Sequence, residues 1–142
     1  MTFKFTADQE AWLHDLETTD APQCEGKLYI VGGGFCCLGR ACQVLLGDPD
    51  AFCGSGKYKL GLWDGDCFAH LPTSMVGRLH LYGSRGTINQ RKLNEGGEKL
   101  LEGLASKLCL TDLNDHLNWD FRRIAAFIRA NPEAVFERGA EE

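Results

Sequence analysis

Apolar residues fall at helical spacing towards both ends of the chain and at strand-like density in two stretches between them. Trp12, Leu13 and Leu16 share one face of a 3.6-residue repeat. They follow Thr6-Ala7-Asp8-Gln9, where the Thr6 hydroxyl can accept the Gln9 amide proton while the Gln9 side chain reaches back, a capping box. This pattern predicts a first helix over residues 7–17. After the loop "TTDAPQCEG", the run "KLYIV" (27–31) is β-branched and aromatic and stops at Gly32-Gly33-Gly34, which predicts a strand. Leu38, Ala41, Cys42 and Leu45 then predict a second helix, closed by Gly47-Asp48-Pro49.

Asp64-Gly65 lies between residues 58–63 and 66–69 and predicts a two-residue hairpin turn, since both central positions favour positive φ. Leu71-Pro72-Thr73 opens a third helix through Met75, Val76 and Leu79, whereas "YGSRGTINQRKLNEGG" reads as irregular. Leu100, Leu101, Leu104 and Leu108 keep helical spacing across Gly103, and "CLTDLNDHLN" predicts a short helix that breaks near Asn118. Phe121, Ile124, Ala125 and Ile128 form one apolar stripe, ended by Asn131-Pro132, and "PEAVF" adds a last turn. The expected fold is a small α+β domain, with short antiparallel β-hairpins packed against several helices and a helical C-terminal third. One domain is expected over residues 1–142, with residues 1–5 and 137–142 the segments that would fray.

Composition narrows the class. A chain of 142 residues, 44% apolar and 25% charged, is of ordinary globular composition. No apolar run approaches the ~20 residues that cross a bilayer, and "MTFKFTADQE" lacks the basic and apolar regions of a signal peptide. A cytoplasmic setting and reduced thiols are therefore expected for the seven cysteines. The net charge of −5 is unevenly spread. Residues 1–26 carry Asp8, Glu10, Asp15, Glu17, Asp20 and Glu25 against Lys4, while residues 78–92 carry Arg78, Arg85, Arg91 and Lys92 without an acid. Such a division argues against general nucleic-acid binding and leaves room for two local charged surfaces.

The stretch "GGGFCCLGRAC" (32–42) carries the most suggestive chemistry. A structural zinc site wants two ligand pairs, and Cys37 with Cys42 lacks a second pair, since Cys53, Cys67 and His70 do not form a knuckle. No metal or cofactor is expected. A nucleophile reading places Cys36 or Cys37 on the first turn of a helix, with His70 as base and Asp64 or Asp66 orienting it. The third reading is packing: small side chains, with Gly39 and Ala41, let the helix press close to its neighbours. That reading needs no partner the sequence fails to supply, and it is preferred.

Two further motifs are weaker. "FRRIAAFIRANPEAVF" has the cadence of a helix-turn-helix, but the acidic "ERGAEE" follows where a DNA-reading helix would need basic and amide side chains, so direct reading of DNA sequence is not expected. "GSRG" (83–86) could hold an anion through Arg85 but lacks a P-loop context, leaving small-ligand or nucleotide binding as a minor alternative. Asn114 and Asp115, between two helices, are read as residues that cap and turn the chain.

The sequence resembles a family of small uncharacterised proteins from bacteriophages and bacteria. The resemblance rests on Cys36-Cys37-Leu38-Gly39-x-x-Cys42, Leu71-Pro72, Leu110-Thr111-x-Leu113-Asn114-Asp115 and Phe121-x-x-Ile124-Ala125-x-x-Ile128, across roughly residues 10 to 136. The chain departs from that pattern in "EGGEKLLEGLASKL" and at Asp120, where a serine is expected. The resemblance transfers no catalytic residues. It implies a phage setting within a bacterial host, and with it a non-enzymatic protein that binds and blocks a host protein or protein–nucleic-acid complex, as an anti-CRISPR-like counter-defence inhibitor does. Candidate partner-binding residues are Glu10, Glu17, Asp20 and Glu25 on the acidic side and Arg78, Arg85, Arg91 and Lys92 on the basic side. The competing expectation is a small cysteine hydrolase using Cys36 or Cys37 with His70.

Overall fold

The computed structural model describes residues 2–30, 33–46, 71, 73–104 and 108–141. Its first helix, α1 (Ala7–Thr18), begins where the capping box puts it: the Thr6 hydroxyl accepts the Gln9 N–H at 3.0 Å, and the Gln9 side chain accepts the Thr6 N–H at 2.9 Å. Gln9 has a second use. It is fully buried, and its amide nitrogen donates to the carbonyls of Leu79 and Arg138, both at 2.9 Å, so the cap of α1 also ties down two distant segments. The other elements follow as β1 (Tyr29–Ile30), β2 (Gly34–Phe35), α2 (Cys37–Leu46), α3 (Thr73–Leu79), a 3-10 turn at Gln90–Lys92, α4 (Glu95–Leu100), α5 (Leu110–Asp115), α6 (Phe121–Ala130) and α7 (Pro132–Val135).

The α+β expectation is corrected by this architecture. Among the described residues helix predominates, and the two strands hold two residues each. The strand pairing among the described residues is a two-residue antiparallel ladder, Tyr29 opposite Phe35 and Ile30 opposite Gly34, with isolated single-residue bridges. The ladder is continued by the Cys36 N–H, which donates to the carbonyl of the buried Leu28 at 3.1 Å. Strand propensity reports fit to a pleated surface, and the surfaces available here are helix faces. The hairpin expected around Asp64-Gly65 lies outside the described residues.

Helix α1 is the centre of the packing, with α2 on one side and α6 on the other, and α5 bridges α2 to α6. Trp12, Leu13 and Leu16 meet Leu38, Ala41 and Cys42 from α2, Leu110 and Leu113 from α5, and Ile124, Ala125 and Ile128 from α6, all fully buried. Two polar links fix α1 on α2: Trp12 Nε1 donates to the Cys37 carbonyl at 2.9 Å, and Arg40 grips the Asp15 carboxylate with bonds of 2.8 and 2.6 Å. The terminal segments meet each other. Phe3 and Phe5 pack on Phe136, and the Ala140 N–H donates to the Lys4 carbonyl at 2.7 Å.

Candidate functional site

The cysteine corner is built by the turn from β2 into α2. Gly39 sits against the Leu28 carbonyl so closely that a Cβ there would overlap the oxygen, and this lets the first turn of α2 lie directly on the preceding chain. Cys24, Cys36, Cys37 and Cys42 are all buried. The Cys37 thiol points at the Leu110 carbonyl, 3.8 Å away, and the Gly39 N–H donates to Cys36 Sγ at 3.4 Å. Asn114, 1% exposed, completes the corner. Its Oδ1 accepts the Cys37 N–H at 3.2 Å and the Gln23 amide at 2.7 Å, and its Nδ2 donates to the Cys24 carbonyl and to Asp115, both at 2.8 Å.

This environment disfavours a thiolate. Burial pushes the Cys36 thiol up to about 12, outweighing the N–H groups of Gly39 and Leu38 that pull the other way. Cys42 is likewise raised to about 12 by burial and by Cys36. Cys37 is raised well above the ordinary thiol value, again by burial first. A catalytic cysteine needs thiolate character and access, and these thiols have neither. His70, Asp64, Asp66, Cys53 and Cys67 lie outside the described residues. Among the described residues no cluster of His, Cys, Asp and Glu is arranged to hold a metal ion. Cys109 is the half-buried exception among the described thiols, with its Sγ 3.9 Å from the Thr87 hydroxyl.

The charged candidates divide into two kinds. Glu10 and Glu17 both contact Arg129 across α1 and α6, at 2.7 and 2.6 Å, so much of their charge is answered internally. Arg129 holds the Glu17 carboxyl below its ordinary range. Arg78 pairs with Asp8 at 2.8 Å and also reaches the Leu45 carbonyl. Asp20, Glu25, Arg85, Arg91 and Lys92 are exposed and make no ion pair among the described residues. Asp20 lines a hollow of about 330 Å³ with Gln23, Asp120, Phe121 and Arg122. Arg85 belongs to a structural turn: carbonyls of residues 84, 85 and 86 accept the N–H groups of Leu71, Thr111 and Leu110, and Gly86 is wedged against the Leu110 side chain at φ +70°. The acidic and basic candidates thus do not converge on one cleft.

An apolar groove was missed by the sequence reading. It runs between α4 and α6, has a volume of about 410 Å³, and is lined by Gly96, Gly97, Leu100, Arg123, Ala126 and Phe127 among others. A smaller hollow of about 200 Å³, holding Phe3, Lys92, Pro132 and Glu133, shares the wall formed by Asn94, Ala130 and Asn131. That wall is rigid. Asn131 Oδ1 accepts the Asn94 N–H at 2.9 Å, Asn94 caps α4 through the Gly97 N–H at 2.7 Å, and a Cβ on Gly97 would strike Asn131. Leu100 is 45% and Leu104 39% exposed, the large apolar side chains left in solvent among the described residues. The expected leucine helix does not form, because α4 ends at Leu100 and Gly103 turns the chain at φ +81°. Asn94, a favoured N-cap residue, followed by the acid Glu95 in the first turn, was the available signal for the true helix start.

No protein-family model, curated protein or solved structure matches the chain at a significant level. Among the described residues no helix is long and apolar enough to cross a membrane.

Proposed function

We propose that this chain is a non-enzymatic protein that binds and blocks a host macromolecule, a protein or protein–nucleic-acid complex, in the manner of a phage counter-defence inhibitor. The groove between α4 and α6, with Leu100 exposed at its edge, carries the reading. A contiguous apolar surface left open to solvent is what marks a protein-binding face. The buried cysteine corner favours binding over thiol chemistry, since Cys36 and Cys37 are both sealed and disinclined to ionise. The phage setting rests on the motif resemblance alone.

Affinity capture from a bacterial host lysate at two salt concentrations tests it. One stoichiometric host complex, weaker at the higher salt, is the expected result. The absence of any macromolecular partner at either salt would overturn the reading.

A further inference from the structure

The occupant of the α4–α6 groove can be narrowed by its charge. Arg123 lines it with its guanidinium 4.2 Å over the Trp119 ring and with no carboxylate partner among the described residues. On α4, Gly96 and Leu100 face the groove; at roughly 100° per residue, Lys99 flanks that side while Glu98 falls on the opposite one. Glu133 lines the adjoining hollow together with Lys92, and not the groove itself. The apolar floor is therefore bordered by cations, in a protein whose net charge is −5. One side of the groove follows α6, which runs for ten residues, about 15 Å.

Resting on the binding function proposed above, we infer that this groove takes an amphipathic helix from a protein partner, its apolar stripe bordered by Asp or Glu. Leucine-type side chains of the partner enter between Leu100, Ala126 and Phe127, and its carboxylates meet Arg123 and Lys99. Helix-in-groove recognition supplies affinity through the buried apolar stripe, and the flanking charges set orientation and partner choice. A nucleic acid would satisfy the cations but leave the apolar floor empty. A second copy of the chain would bring an overall like charge.

The test is a selection of displayed random peptides of helix-forming length, about 15 residues, on the intact protein, with Leu100→Asp and Arg123→Glu as counter-targets. Enriched peptides should carry apolar residues at i, i+3, i+4 and i+7 with acids beside them. A synthetic representative should bind about tenfold more weakly to Arg123→Glu and not measurably to Leu100→Asp. Both side chains are exposed, so circular dichroism and melting should be unchanged; Ala126→Glu replaces Leu100→Asp if that variant misfolds. No enrichment, enrichment of basic peptides, equal binding to the variants, competition by oligonucleotides, or a dimer abolished by Leu100→Asp would each overturn the inference. Lysate capture that survives both substitutions would defeat this inference and leave the binding function standing; loss of capture by the unmodified protein would defeat the function itself.

Discussion

Asn114 and Cys37 are 77 positions apart in the chain, and the side-chain oxygen of the first accepts the backbone N–H of the second at 3.2 Å inside the core. The bond joins α5 to the first turn of α2. It also answers one of the N–H groups that a helix start leaves without an intrahelical partner. The same side chain serves Gln23 and the Cys24 carbonyl, so three segments meet on one buried amide.

Asn114→Leu therefore strands the Cys37 N–H and the Cys24 carbonyl together, while the Gln23 amide keeps its bond to the Trp119 carbonyl. Each such group costs about 1–3 kcal/mol when left unsatisfied. A loss of at least about 2 kcal/mol is expected in urea denaturation, a large part of the stability of a domain this size. A loss below about 1 kcal/mol would mean that the corner relaxes and that Asn114 is not its keystone.

The thiols give a second prediction. In the native protein at neutral pH, Cys24, Cys36, Cys37 and Cys42 should be alkylated by iodoacetamide far more slowly than Cys109, and all five should react alike once the chain is unfolded. Peptide mass spectrometry over a time course resolves the sites. Fast native modification of Cys36 or Cys37 would restore the nucleophile reading.

What could be read in advance follows from where each signal lives. The start of α1 was legible because its capping box is complete within Thr6–Gln9, and α6 because Phe121, Ile124, Ala125 and Ile128 repeat on one face. The packing role of Gly39 was legible as a small residue inside a helix, although its partner, the Leu28 carbonyl, was not. The leucines at 100–108 misled, since periodicity does not reveal that Gly103 adopts positive φ and leaves Leu100 and Leu104 in solvent. The groove was invisible for the same reason: it arises where α4 and α6 meet, and the Asn94–Asn131 contact that shapes it spans 37 positions. Charge counting likewise marked Glu10 and Glu17 as available, because the sequence does not show that Arg129 lies between them.

Gly39→Ala should be among the most damaging single-methyl additions in the chain. Its new carbon would occupy the position of the Leu28 carbonyl oxygen, and backbone cannot rotate aside as a side chain can. Overpacking of this kind costs about 1–3 kcal/mol and occasionally more, and the upper end is expected here. Gly77→Ala, where the added carbon meets nothing within 4 Å, is the matched control and should be neutral or stabilising. Equal stability of the two variants would refute the close approach of α2 to the chain before it.

Acid sensitivity should run through Glu17. Its carboxylate takes two bonds from Arg129, at 2.6 and 2.9 Å, and this hydrogen bonding lowers its folded pKa below the ordinary 4.5. A group lowered in the folded state stabilises the fold above its unfolded pKa and loses that contribution as pH falls through the folded one. Glu17→Gln keeps the shape and removes the charge. The variant should be less stable than the parent by a constant margin above about pH 5, and the margin should close as pH falls below the ordinary 4.5 and through the lowered folded value. Because the pair is about a third exposed, the margin should be small and should shrink in high salt. Urea midpoints for both proteins across that range decide the matter. A margin that persists unchanged to pH 3 would show that the substitution acts through packing and not through the ion pair.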